Sequence, residues 1–200
     1  MSEALLLAKI EAHVRHLFAL HMQPYLYYHN LAHTEEVVEH TTALCSWYNL
    51  AAHNSFIIIT AAWFHDTGHL FGDLEGHEER GAALMRQFLE GSVPTLYLSA
   101  IHQYIMATRM PVHPANIMEK IICDADTWHL GTADFMMKDA KVWQELEARK
   151  GRTFENKAAL SLKFMQQHSF YTTYCKQQLS AGKRRNIDAL VKITDIPNRH

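Results

Sequence analysis

The chain has 200 residues, 48% of them hydrophobic and 20% charged, with a formal net charge of -2. That is an ordinary globular composition, long enough for one substantial core. The near-neutral charge argues against a polymeric DNA or RNA partner and leaves small phosphorylated ligands open.

In chain order, "EALLLAKIEAHVRHLFALHM" carries apolar residues at Leu6, Ile10, Val14, Leu17 and Phe18, the spacing of one buried helical face. With acid at Glu3 and Glu11 and only a short apolar run, it reads as an amphipathic helix and not as a signal peptide. Pro24 and the cluster Tyr25, Tyr27 and Tyr28 break the pattern. A second helix is expected from about Asn30 to Asn49. A third, "SFIIITAAWFHD", is expected to start at an N-cap Ser55 and to be central, because it is apolar nearly all round. Its β-branched run Ile57 to Thr60 also fits a strand, but the length of the run and Ala61-Ala62 favour helix.

"GHLFGDLEG" reads as a glycine-rich loop, and "HEERGAALMRQFLEG" as a fourth helix closed at Gly91. "VPTLYLSAIHQYIMATRM" is a fifth, and "PVHP" a loop. "ANIMEKIICDADTWHLG" is a sixth, ending at Gly131. "ADFMMKDAKVWQELEARKG", "ALSLKFMQQHSFYTTYCKQQL" and "GKRRNIDALVKIT" give two or three more. The expectation is an all-α helical bundle in a single domain over residues 1–200, with C-terminal helices at about 136–195 packed on a core at about 25–135. No apolar run approaches the ~20 residues of a membrane span, so the cytoplasm is the default compartment. Cys45, Cys123 and Cys175 contain no CxxC pair and are expected as buried free thiols.

The unusual feature is 15 histidines spread along the chain. Histidine is the commonest metal ligand. "YYHNLAHTEEVVEH" holds His29, His33 and His40, and "AAWFHDTGHLFG" holds His65, Asp66 and His69. A metal-assisted hydrolase needs imidazole and carboxylate ligands converging from different elements, with open positions for water and substrate. Adjacent residues on a regular helix diverge by about 100°. His65 and Asp66 can still turn to one point where a helix ends, and Gly68 marks such an end. P-loop, GxGxxG, HExxH and GxSxG motifs do not occur.

"HNLAHTEEVV", "AAWFHDTGH" and "ICDADTWHLG", in this order, resemble the HD-domain phosphohydrolase superfamily. The likeness is closer to a bacterial subfamily of predicted metal-dependent HD phosphohydrolases, through "YHNLAHT", "FHD", the "HEE" helix, "IMATR", "DADTWHLG" and the C-terminal "FYTT" and "RRN". The resemblance implies an HD-type, phosphodiesterase-like helical fold with His33, His65, Asp66 and Asp126 as metal ligands. Asp124 competes with Asp126 for the last place. On a helix the two point roughly 200° apart, and the family pattern "ADxxxLG" favours Asp126. In related cyclic-nucleotide phosphodiesterases a histidine at the place of His69 faces the substrate phosphate. His69 is accordingly a candidate proton donor or phosphate contact. Asp66 is expected to orient the attacking water or to bridge to a second ion.

His29 either shapes the pocket mouth or caps and packs its helix start. His77 opens the fourth helix, where two-metal relatives bind a second ion. The matching place on the next helix is Thr108, not histidine, and His102 is out of register, which weakens the case for that ion. Arg109 and the group Lys183, Arg184 and Arg185 are candidate phosphate contacts. Tyr25, Tyr27, Tyr28, Trp63 and Trp128 are core aromatics that could stack a base. His13, His16, His21, His40, His53, His168 and His200 are assigned to surface or packing. The function implied is hydrolysis of a phosphate ester, such as a nucleotide, by water activated by Mn, Mg, Fe, Ni or Zn. The alternative is a nucleotide- or metal-binding sensor with little turnover. A homodimer is compatible with a helical domain of this size.

Overall fold

In the computed structural model of the chain, α1 (Glu3–His21) starts where the Ser2 side chain accepts from the Leu5 backbone N–H, and it buries Leu6, Ile10, Val14 and Phe18. The structure describes residues 2–195. His200 lies outside them. The further helices are α2 (Leu31–Trp47), α3 (Ala52–Phe64), α4 (His77–Leu89), α5 (Thr95–Met106), α6 (Ile117–Asp126), α7 (Phe135–Lys150), α8 (Lys157–Gln167) and α9 (Thr173–Thr194), with 3-10 turns at Thr67–Phe71 and Trp128–Gly131. Among the described residues there is no strand, and the fold is all-α.

One apolar core runs from Leu6 on α1 to Leu190 on α9. Its centre is α3, where Phe56, Ile58, Ala61, Ala62 and Phe64 are almost fully buried. α1, α2 and α5 pack most closely on α3, with α4 and α6 beside them, and α7, α8 and α9 close the far side, with α9 packed on the Trp128–Gly131 turn. The three cysteines are buried and unpaired. Burial pushes the thiols up, Cys45 to about 11 and Cys175 to about 12. No helix of the described residues is long and apolar enough to cross a membrane.

Three local expectations are corrected. Ser55 is not an N-cap: α3 starts earlier, after Ala51, with no side-chain cap, and the Ser55 N–H already donates to the Ala51 carbonyl. Asn49 takes a left-handed φ of 49°, which turns the chain after α2 early enough for α3 to begin there. The stretch after His65 is not a solvent loop, because Thr67, Gly68, His69 and Leu70 are buried in a 3-10 turn. The C-terminal break also falls elsewhere. It lies between Gln167 and Thr173, where Thr172 caps α9, and α9 then runs unbroken through Gly182.

Gly182 is not a helix breaker here but a contact point. A Cβ there would lie 1.8 Å from the Gly131 carbonyl oxygen, so only hydrogen lets α9 rest on the Trp128–Gly131 turn. Gly182→Ala should therefore cost about 1–3 kcal/mol by overpacking, despite the better helix propensity of alanine. Chemical denaturation of wild type and variant checks this. Unchanged or raised stability would mean that the two backbones are not in such close contact.

Candidate metal centre

Asn30 caps α2 by accepting from the His33 N–H, which starts the helix so that His33 faces inward and is buried. α3 ends at Phe64, and the next residues carry His65 and Asp66 away from regular helical divergence. The His65 Nδ1–H donates to the Ala62 carbonyl at 2.8 Å, so Nε2 is the nitrogen turned toward the centre. Asp126 is the last residue of α6.

These three elements bring four side chains to one point. His33 Nε2 lies 3.1 Å from Asp126 Oδ1 and 3.4 Å from Asp66 Oδ2. His65 Nε2 lies 3.2 Å from Asp66 Oδ2 and 3.7 Å from Asp126 Oδ1. His65 Nε2 and Asp66 Oδ2 are both buried with no hydrogen-bond partner. Burial raises the Asp66 carboxyl, but the His65, His29 and His33 rings crowded around it outweigh burial and hold it well below the usual carboxylate range. Burial lowers both His33 and His65, and the two carboxylates more than reverse this.

Asp66 presents its other oxygen to a second group. His69 Nε2 and His77 Nε2 each lie 3.7 Å from Asp66 Oδ1. Ring planes of His29, His69 and His77 form a column, with centroids 4.3 Å and 3.8 Å apart. Gly68 permits this column. A Cβ on it would sit 1.9 Å from the His77 carbonyl oxygen, so the 3-10 turn lies directly against the start of α4. The His77 Nδ1–H donates to the Leu74 carbonyl at 2.8 Å, which frees Nε2, and Glu78 Oε1 lies 3.4 Å from it.

His69 is held differently. Arg149 Nη1 donates to its Nδ1 at 2.7 Å. A guanidinium has only donors, so Nδ1 accepts and the ring hydrogen sits on Nε2. That nitrogen is buried and without a partner. Burial, then the charge of His29, holds His69 far below the usual histidine range, which keeps the ring neutral. His69 is thus an N–H donor aimed into the centre.

His29 Nδ1 lies 2.7 Å from Glu145 Oε1, and the Tyr28 and His29 backbone N–H groups donate to Glu145 Oε2 at 2.9 and 3.0 Å. Behind Asp126, the Tyr28 hydroxyl lies 2.9 Å from His129 Nδ1, and burial pushes His129 down to about 3. A cavity of about 480 Å³ opens beside the centre, lined there by His29, Asp66, His77, Thr108, Asp126 and His129.

The structure therefore brings together His33, His65, Asp66, Asp126, His69, His29 and His77. It separates Asp124, which is fully buried and accepts from the Tyr171 N–H, the Thr172 N–H and the Thr172 hydroxyl at 2.7–2.8 Å, anchoring the start of α9. Arg109 does not line the cavity. It is exposed and pairs with Glu79 and Glu78. Lys183 donates to the His168 carbonyl, outside the centre. Of the expected aromatics, Tyr28 lines the cavity, whereas Trp63 is buried and Trp128 stacks on His40.

Glu145, Arg149 and His129 were not singled out from the sequence. His129 stands three residues after Asp126, a spacing that could have drawn attention to it. Glu145 and Arg149 are an i,i+4 pair with no local sign that they reach residues 80 or more positions away. No family model, curated protein or solved structure matches the chain.

The two aspartates of α6 should behave oppositely. Asp124→Ala strands three buried donors and should cost about 3–5 kcal/mol of stability. Asp126→Ala removes a carboxylate facing two histidines and a cavity, and should leave the fold of the metal-free protein intact. Denaturant midpoints of both variants check this, and similar losses in both would contradict the division.

Proposed function

We propose that this protein is a divalent-metal-dependent phosphohydrolase that cleaves a phosphate ester, with nucleotides among the candidate substrates. The observation that carries this reading is the pair His65 Nε2 and Asp66 Oδ2, two buried ligand atoms with no donor, converging with His33 and Asp126 beside a cavity. Buried polar atoms are normally satisfied. An uncompensated pair of this kind fits a cation. His33, His65 and Asp66 have ligand atoms close enough to share one ion, and Asp126 adds a fourth. Two imidazoles and two carboxylates suit Mn, Fe, Zn or Ni, and Mg less readily. The order and spacing of the motifs that resemble HD-domain phosphohydrolases support the same reading.

A divalent cation held there supplies Lewis acidity toward phosphoryl oxygens and a water nucleophile at neutral pH. The chain's own groups do the positioning. The Nε2–H of His69 offers a hydrogen bond to an oxygen above Asp66, and Arg149 keeps that hydrogen on Nε2. His29, backed by Glu145, lines the cavity and is a candidate proton donor to a leaving oxygen. A second ion would rest on Asp66 Oδ1, His77 Nε2 and Glu78 Oε1 and would lean on the substrate for further ligands. His69 does not serve it, because its inward nitrogen carries hydrogen.

Thermal unfolding of chelator-stripped protein with Mn, Mg, Ni, Zn or Fe added tests the site. A metal at about 100 times its Kd stabilises by about 2.7 kcal/mol, an upward shift of roughly 5–10 °C for a chain of this size. The shift should vanish in Asp66→Ala and His33→Ala. A panel of phosphate mono- and diesters with the best metal then tests turnover. Absence of a shift with any metal, after stripping is verified, would sink the proposal. A shift accompanied by tight binding of one ester and no turnover would replace it with a sensor.

A further inference from the structure

The cavity beside the candidate metal centre has two unlike ends. One is the polar centre. The other lies between the metal-bearing helices and α7 and α8, and its walls are Met110, Leu130, Val142, Trp143, Leu160 and Phe164. This end is apolar and partly aromatic, yet a carboxylate, Asp139, lies in its wall. Asp139, Val142 and Trp143 share one face of α7 at i, i+3 and i+4.

Asp139 has no counter-charge: among the described residues no Lys, Arg or His side chain comes within 4.0 Å of it. Its nearest side-chain donor is the Ser161 hydroxyl, 2.8 Å from both carboxylate oxygens, with the Trp143 indole N–H beside it. That hydroxyl is buried and receives in turn the Trp143 indole N–H at 2.8 Å. Serine has a single hydrogen to give, whereas a carboxylate offers about four lone-pair positions. The Trp143–Ser161 pair thus holds the carboxylate in orientation, and accepting positions remain for a ligand in the cavity that Asp139 lines. Burial also pushes the Asp139 carboxyl up. A half-buried acid kept in an apolar wall without a cation is costly unless a ligand supplies donors.

We infer that the organic part of the substrate is a flat, mainly apolar ring bearing an amino group, of the aminopurine kind, whose N–H donors are received by Asp139. This assignment rests on the phosphohydrolase reading only for the phosphate end. The N–H chemistry by itself would also suit an alkylammonium group, but the Trp143 and Phe164 walls favour a ring face. Asp139 is then a specificity-determining residue, remote from the reacting atoms.

Paired nucleosides, which lack phosphate, probe this end alone. Binding of adenosine against purine riboside, and of guanosine against inosine, is measured by calorimetry on the full Mn-loaded chain, with n-butylammonium as a third probe. In at least one pair the amino-bearing member should bind about tenfold or more tightly, as expected for a hydrogen bond to a charged group. That ratio should fall to within about threefold in Asp139→Ala and Asp139→Asn. Equal affinities within both wild-type pairs, or no nucleoside binding, would overturn the inference whether or not the variants fold. Tighter Asp139-dependent binding of n-butylammonium than of either amino nucleoside would overturn the ring assignment. Discrimination within a pair without turnover of any phosphate ester would count against the hydrolase reading alone.

Discussion

The rest of the site depends on one constraint, that both oxygens of a buried carboxylate are committed to histidines on opposite sides. Asp66 Oδ2 faces His33 and His65, and Oδ1 faces His69 and His77. No regular helix can present His65 and Asp66 together in this way. The chain leaves α3 at Phe64, tightens into a 3-10 turn, and is pressed against α4 through Gly68. The strongly apolar α3 supplies the anchoring that lets so many titratable groups be buried at its end. Its burial offsets the cost of desolvating them, in keeping with the general rule that local strain and polar burial at a site are sustained by the core around it.

The histidines of this centre are fixed by their second nitrogens. His65 and His77 each give a hydrogen to a backbone carbonyl and turn Nε2 inward. His69 receives a hydrogen from Arg149 and points an N–H inward. The same residue type therefore sits in two arrangements, with Nε2 of His65 and His77 suited to a cation on the proposed reading and the Nε2–H of His69 suited to an oxyanion. The difference is set outside the ring by a carbonyl or a guanidinium. A count of histidines near Asp66 cannot distinguish ligands from donors, and the partner of each outer nitrogen can.

Legibility from sequence divides along the same line. The amphipathic pattern of α1 and the apolar run of α3 are local signals, and both emerge as helices with the expected buried residues. The cluster His33, His65, Asp66 and Asp126 was reachable through motif order, and the opposed directions of Asp124 and Asp126 follow from helical geometry. Gly182 misled because a glycine in a helical stretch reads as a break, whereas here it answers a backbone from 51 residues earlier. Arg149 and Glu145 were invisible for a related reason. Their i,i+4 spacing reads as a solvated surface pair, yet Arg149 is only 5% and Glu145 only 1% exposed in the side chain. Long-range burial turns an ordinary helix pair into part of a site, and no short window contains that information.

α7 carries this division further. Six residues separate Asp139 from Glu145, about 120° around the helix. One face, with Glu145 and Arg149, braces His29 and His69. Asp139 and Trp143 lie on the neighbouring side and Val142 lies between, about 20° around the helix from Arg149, and these three line the apolar end of the cavity. A single rigid helix thus spans from the reacting end of the cavity to the end that would read the organic group. α2, the end of α3 and α6 carry His33, His65, Asp66 and Asp126, while the apolar end is walled elsewhere by Leu130 of the 3-10 turn after α6 and by Met110 after α5. If the protein cleaves an ester as proposed, substitutions at Asp139 or Trp143 would alter which ester is accepted without touching a ligand atom. On the proposed reading, one element carries both the groups that brace the histidines and part of the wall that would select the substrate, so the C-terminal helices would be part of the site and not a cover over it.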